Sequence, residues 1–211
     1  MSDVTSRLRV ARGIGKTETD ASMEVFETLK RRGHSHSPPA FVSDGWGGIK
    51  EALIEVYGKV PEYSGRGRPP TIKRPQVGWR YLQMVKQRNQ HGRVTGTTLK
   101  VIFGNEEEVL EELGHNTSYV ERTHLTMRQF SGRLVRKGLG FSKALSMHRA
   151  SAVLEDVFYN LVRPVKTLRV EVFNDSKRRW MPRTPAMAAC ITDHIWTFKE
   201  LFTTLIVTNN T

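Results

Sequence analysis

The sequence predicts a mixed α/β chain, and three patterns predict it. Short apolar runs stop abruptly at turn residues, other stretches repeat apolar residues at helical spacing, and a long Gly-, Pro- and Arg-rich segment separates two such regions. Leu8–Ile14 reads as a first strand, with Leu8, Val10 and Ile14 facing one way among Arg7, Arg9 and Arg12. Thr19 then reads as a helix N-cap, with Asp20 and Glu24 in or near the first turns. Ala21, Val25 and Leu29, joined by Phe26, form the apolar stripe of that helix, and Gly33 ends it. His34–Pro39 reads as a loop. Ala40–Ser43 is a short apolar run that halts at Asp44-Gly45, which predicts a buried strand with Asp44 at its C-terminal end. Gly47-Gly48 precede a second helix, Ile49–Tyr57, whose Ile49, Leu53 and Tyr57 fall one turn apart.

The next segment, Gly58–Thr98, differs in composition. It is rich in Gly, Pro, Arg and Lys and has a single acidic residue, Glu62. Trp79–Val85 within it reads as extended, so the segment is predicted to be a basic β-rich insertion between two halves of one core. Leu99–Phe103 resumes as a strand, and Glu106–Leu113 is an acidic helix closed by Gly114. Helices are predicted over Ser118–Leu139 and Ser142–Leu161, the second ended by Pro164. The expected organisation is a core of residues 1–57 and 99–163, an insertion of residues 58–98, and a C-terminal helical extension of residues 164–211.

Of the 211 residues, 38% are hydrophobic, and the formal net charge is +12 with a pI near 10.1. Such an excess favours a polyanionic partner, of which nucleic acid is the commonest, although a merely soluble basic protein has the same signature. The single cysteine, Cys190, excludes an internal disulfide and a cysteine-based zinc site and suits a reducing cytoplasm. No run approaches the roughly 18 apolar residues of a membrane span, so no membrane partner is expected. Met1-Ser2-Asp3 has no signal-peptide character. The short apolar Leu201–Val207 reads as a docked strand or helix end. His34, His36, His91, His115, His148 and His194 share no metal-binding spacing.

Three acids stand out by position. Asp3 lies at the chain start before the first turn, Asp44 closes a strand, and Glu121 sits in the first turns of a helix after Ser118. Acids at strand ends, joined by a third from a helix, can surround one or two divalent cations. Mg²⁺ prefers oxygen ligands and keeps several waters, so two or three carboxylates suffice. Ordinary turn and cap acids would occupy the same positions. On the helix, His124 and Arg128 fall three and seven residues after Glu121, on one face. That grouping suits a site for metal and phosphate together, and equally an exposed face with routine charge pairing.

The residues around these acids resemble a known family. Ser43-Asp44-Gly45-Trp46 resembles the motif around the second catalytic aspartate of DDE transposases. Tyr119–Gln129 is similar to the segment around the catalytic glutamate in the insertion-sequence-one family. Arg133–Lys143 resembles that family's continuation, and Tyr159-Asn160-Leu161 its later helix end. Asp3-Val4-Thr5-Ser6-Arg7 with Val10, Gly15 and Thr17 matches the first-aspartate region more loosely; Asp20 is its rival, better explained as a helix-dipole partner. The resemblance covers residues 2–57 and 99–163. It implies an RNase H-like core, a catalytic and metal-ligating triad of Asp3, Asp44 and Glu121, and two Mg²⁺ or Mn²⁺ ions. It further implies DNA cleavage and strand transfer of an insertion sequence at the nucleoid. The expected partners are element ends and target DNA, bound by a homo-oligomer. It also implies a first strand and a DNA-binding region upstream of Met1, so the chain is expected to be truncated at its N terminus. An inactive, DNA-binding remnant or an architectural DNA-binding protein is the alternative.

The expected DNA contacts include Arg122, His124 and Arg128 on the helix, and Arg66, Arg68, Lys73 and Arg74 in the insertion. Arg66-Gly67-Arg68-Pro69 resembles the core of an AT-hook, whose arginines enter the narrow minor groove of A·T-rich DNA. A flexible basic loop touching phosphates is the equal alternative. Arg80, Lys86, Arg88 and Arg93 extend the positive surface in either case. Trp79 and Tyr81 could stack on bases or fill a core. Lys177-Arg178-Arg179-Trp180 could touch DNA or be solvated.

Overall fold

The structure is a computed structural model that describes residues 1–114, 118–135, 138–172 and 179–204. It is a mixed α/β chain in two compact units. One comprises Val10–Tyr119 with Met1, and the other Ser2–Arg9 with Val120–Thr211. No helix among the described residues is long and apolar enough to cross a membrane.

The first unit is built on helix α1 (Glu18–Arg31), strand β1 (Phe41–Asp44), helix α2 (Gly48–Tyr57), strands β2 (Tyr81–Arg88) and β3 (Val94–Phe103), and helix α3 (Glu106–Leu113). Thr17, rather than Thr19, caps α1. Its hydroxyl accepts from the Asp20 amide, and the Asp20 carboxylate accepts from the Thr17 amide, so Asp20 completes a capping box. Phe26 and Leu29 are the buried members of the predicted stripe. In α2, Ala52, Leu53 and Tyr57 are buried.

The sheet runs in the order β1-β2-β3, with β1 and β2 parallel and β2 and β3 antiparallel. Phe41 aligns with Tyr81 and Ser43 with Gln83, so these four side chains share one face while Leu82 and Met84 point to the other. Helices α1 and α2 supply Phe26, Leu29, Leu53 and Tyr57 to the first face, and α3 lies against β1 and β2 with Val109 fully buried. Aromatic rings link the layers. Phe41 stacks on Tyr81 at 4.2 Å between centroids, Phe26 tilts on Phe41 at 5.4 Å, and Trp79 meets Phe103 edge-on at 5.4 Å. Such pairs contribute about 0.5–1.5 kcal/mol each beyond their area burial.

Trp79 and Tyr81 are therefore core residues, 2% and 0% exposed, and the base-stacking alternative is ruled out for both. The stretch read as one basic insertion is of two kinds. Tyr81–Met84 is buried in the central strand, whereas Glu62–Pro69 and Val85–Thr95 are exposed throughout. Composition misleads here because the cations cluster on either side of the buried run.

Burial pushes the Tyr57 hydroxyl from its ordinary 10.0 up to about 12. A folded-state pKa above the unfolded value means stability that is complete below pH ~10 and lost as pH rises through about 12. Denaturant titrations across that window should show falling stability, with a shallower fall in Tyr57→Phe.

Leu8–Ile14 does not form the predicted strand. Ser2 and Arg9 make a single antiparallel bridge, and Asp3 N–H donates to the Leu8 carbonyl at 2.8 Å. Beyond the bridge the backbone groups of Arg9 are taken up otherwise. Asn160 Oδ1 accepts from Arg9 N–H at 2.9 Å, and Asn160 Nδ2 donates to the Arg9 carbonyl at 3.0 Å. A side-chain amide thus replaces the neighbouring strand that a ladder would need.

Helix α4 is Ser118–Phe130, in the second unit from Val120 on, and is shorter than predicted. Ser131 and a 3₁₀ turn at Gly132–Leu134 end it, with the Leu134 amide donating to the Ser131 carbonyl. Helix α5, Leu145–Val157, continues as a π-helical turn, Phe158–Val162, before Pro164 stops the path. The C-terminal part is less helical than expected. It holds a two-residue strand pair, β4 (Val170–Glu171) with β5 (Trp180–Met181), then α6 (Pro185–Ala188) and α7 (Phe198–Thr203). Leu201–Thr203 are a helix end, and Leu205–Val207 lie outside the described residues.

Candidate functional site

The turn after β1 carries the first candidate acid. Asp44 is the last residue of β1 and is exposed, and its Oδ1 accepts weakly from the Trp46 amide at 3.4 Å. Ligand sites in open α/β sheets gather at the C-terminal ends of strands, because loops there are free to carry polar groups. Gly48 fits the half-buried Trp46 indole over the start of α2; a Cβ there would collide with the ring.

A buried polar chain supports this turn from below. Gln83 Nε2 donates to the Trp46 carbonyl at 3.0 Å and to the Tyr81 hydroxyl at 2.7 Å. Ser43 Oγ donates to the Asp44 carbonyl at 2.8 Å and lies 2.8 Å from the Tyr81 hydroxyl. Since Ser43 spends its proton on Asp44 and Tyr81 accepts from Gln83, Tyr81 must donate to Ser43. Burial pushes the Tyr81 hydroxyl up, its hydrogen bonds with Ser43 and Gln83 oppose that, and the Asp44 charge adds to it. The sequence offers no sign of Gln83 and marks Tyr81 only as a base-stacking or core residue, not as a support of this turn. The signal available was the register alone, which places Gln83 opposite Ser43.

Asp3 occupies a turn rather than a strand end. Its Oδ2 accepts from the Ser6 amide at 2.7 Å and the Ser6 hydroxyl at 2.6 Å, and Arg7 closes the turn at φ 62°. The side chain is exposed. The segment carrying Asp3 is anchored through Arg9. The Arg9 guanidinium pairs with Glu155 at 3.3 Å and Asp156 at 3.0 Å and lies 4.0 Å from the centre of the Tyr159 ring. Tyr159 and Asn160, singled out in the sequence only by resemblance, are therefore the seat of the N-terminal segment.

Glu121 falls in the first turns of α4, but its side chain lies outside the described residues, as does His115. Arg122, His124 and Arg128 follow it on α4, all exposed, and helical spacing puts His124 and Arg128 on the Glu121 face. Among the described residues, no group of three His, Cys, Asp or Glu side chains could hold a metal ion.

The basic segment divides similarly. Arg66 and Arg68 are exposed, with no ion pair among the described residues. Gly67 stands at φ 77°, a conformation that costs glycine little, and its carbonyl accepts from the Tyr63 hydroxyl at 2.9 Å. Lys73 is tied to α2 through Glu55 at 2.6 Å, and Arg74 pairs by its backbone with Lys59. In the tail, Arg179 pairs with Glu171 and Arg169 stacks on Trp180, while Lys177 and Arg178 lie outside the described residues. His194 bridges Asp193 and Glu200, whose hydrogen bonds hold the imidazole above its ordinary pKa. Its Glu200 also completes the capping box of α7 with Thr197.

Compared with known proteins, the chain matches no family model, no curated protein and no solved structure.

Proposed function

We propose that the chain is the catalytic part of a DDE-type DNA transposase with an RNase H-like core. It would cleave DNA at the end of an insertion sequence and join the freed 3′-hydroxyl to a target strand. The observation that carries the reading is Asp44, exposed at the C-terminal end of β1 in a Ser-Asp-Gly-Trp turn held from below by Gln83. The long resemblance over Glu121–Lys143 and the net charge of +12 support it.

The donor set suits hard cations. Asp44 offers a carboxylate engaged by one long hydrogen bond, and Asp3 keeps Oδ1 without a hydrogen bond among the described residues. Asp3, Asp44 and Glu121 would hold two Mg²⁺ or Mn²⁺ ions. Bound there, such ions lower the pKa of the attacking hydroxyl and stabilise the leaving oxygen. The chain's own work is positional. The Gln83–Tyr81–Ser43 chain fixes the Asp44 backbone, and the Arg9 anchor fixes the turn bearing Asp3. Arg128, whose planar fork matches phosphate oxygens, would orient the strand beside Glu121, with Arg122 and His124 flanking it.

A second reading is DNA binding without catalysis, as a transposase remnant or an architectural protein. The exposed Arg66-Gly67-Arg68 loop favours it, since groove or phosphate contact by that loop requires no metal. The test is joining of a 3′-hydroxyl oligonucleotide to plasmid DNA by the full chain. Transposition chemistry requires Mg²⁺ for joined product; a purely architectural protein binds the same DNA with Mg²⁺ or with chelator and joins nothing.

A further inference from the structure

The distal half of the β2–β3 hairpin projects as an arm. β2 is buried over Tyr81–Met84 and exposed over Val85–Arg88, and the facing residues of β3 are exposed except for Gly96. The tip is hydrogen-bonded. Asn89 Oδ1 accepts from the His91 and Arg93 amides at 3.0 and 2.9 Å, the Gly92 amide donates to the Asn89 carbonyl at 2.9 Å, and Gly92 takes φ 74°. Arg88 Nη1 donates to the Gly92 carbonyl at 2.9 Å, and Gln87 Nε2 ties the strands through Thr98 Oγ1 at 2.7 Å. Neither the arm nor the chain around it, from Tyr63 to Asn105, contains an acidic residue. Lys86 and Arg88 alternate with Val85 and Gln87, so both cations lie on one face of the ribbon, with Arg93 at its tip.

A hydrogen-bonded, acid-free ribbon that buries little apolar surface has no evident task inside its own fold. We propose that the arm inserts into the major groove of duplex DNA, with Lys86, Arg88 and Arg93 against phosphates and the exposed Gln90 toward base edges. This rests on the reading of DNA as the partner. Dimensions select the groove. Four strand residues and the turn reach about 17 Å at ~3.4 Å per residue, beyond the ~8.5 Å depth of the major groove. Two strands ~4.8 Å apart with side chains fit a groove ~12 Å wide and exceed the ~6 Å minor groove.

The experiment uses the full chain and a short fluorescent duplex, titrated over a range of KCl. The Lys86→Gln, Arg88→Gln, Arg93→Gln triple variant changes three exposed side chains and removes the Arg88–Gly92 hydrogen bond at the tip, so its far-ultraviolet circular dichroism and melt are compared with the parent's to show that the fold is kept. The slope of log K against log salt should become shallower by about 2.7, three phosphate contacts at ~0.9 each. Methyl green, which occupies the major groove, should abolish the affinity difference between parent and variant. An unchanged slope, or a difference that survives methyl green, overturns the arm's assignment. If Mg²⁺-dependent joining persists in that case, the transposase reading stands without the arm. A parent chain that binds no duplex at any salt overturns both.

Discussion

Replacing Glu121 by Gln is expected to lower Mg²⁺-dependent strand joining by about 10²–10³-fold, with duplex affinity changed by less than about twofold. A bound divalent cation contributes several kcal/mol of transition-state stabilisation, and each 1.36 kcal/mol is a factor of about ten. Glutamine keeps the size of glutamate and its place in the first turns of α4 but removes the anionic oxygen that a hard cation requires. DNA affinity comes from lysines and arginines meeting phosphates, and deleting one carboxylate does not weaken that term. The split between binding and joining is therefore the diagnostic feature. Asp44→Asn should behave alike, because Asp44 sits outside the hydrophobic core. Joining by Glu121→Gln at the parental rate would remove Glu121 from the triad.

The second large effect is on stability. Arg9→Ala is expected to destabilise the chain by about 3 kcal/mol, read as a lower denaturant midpoint with unchanged slope. The Arg9 side chain is 3% exposed, and its removal takes away the guanidinium that pairs with Glu155 and Asp156, themselves 11% and 19% exposed. Losing one partner of a buried ion pair costs about 3–5 kcal/mol, and the partial exposure of the two acids places this case at the lower end. Combining Arg9→Met with Glu155→Gln and Asp156→Asn should recover much of the loss, since the two carboxylates that lose the Arg9 guanidinium are then neutral. An Arg9→Ala chain as stable as the parent would mean that the N-terminal turn is not anchored through this cluster.

The periodic elements were legible in the sequence. The Ala40–Ser43 run and the α2 stripe were read within a residue or so of β1 and α2, because an apolar face repeated at one period leaves few alternatives. Leu8–Ile14 has the same alternation, yet an Asn160 amide fills the place of a neighbouring strand, a contact 151 residues away that no local pattern encodes. The central strand was half hidden for the opposite reason. Tyr81–Met84 is buried, but Arg74, Arg80, Lys86 and Arg88 around it give the segment the composition of a surface loop.

Of the site, Asp44 was legible as an acid ending a strand, and its exposure in the turn follows from that position. The Gln83–Tyr81–Ser43 chain was not, because its members meet only through the parallel register of β1 and β2. Asp3 stands out only by sequence likeness; its turn, clasped by Ser6 and anchored by Arg9, appears only in three dimensions.

The central claim is most directly tested by incubating the full chain with a labelled oligonucleotide bearing a free 3′-hydroxyl and with supercoiled plasmid, with Mg²⁺ or with chelator. The proposed chemistry predicts label covalently joined to plasmid in Mg²⁺ and none in chelator. Plasmid bound equally in both conditions, with no joined label in either, would contradict it.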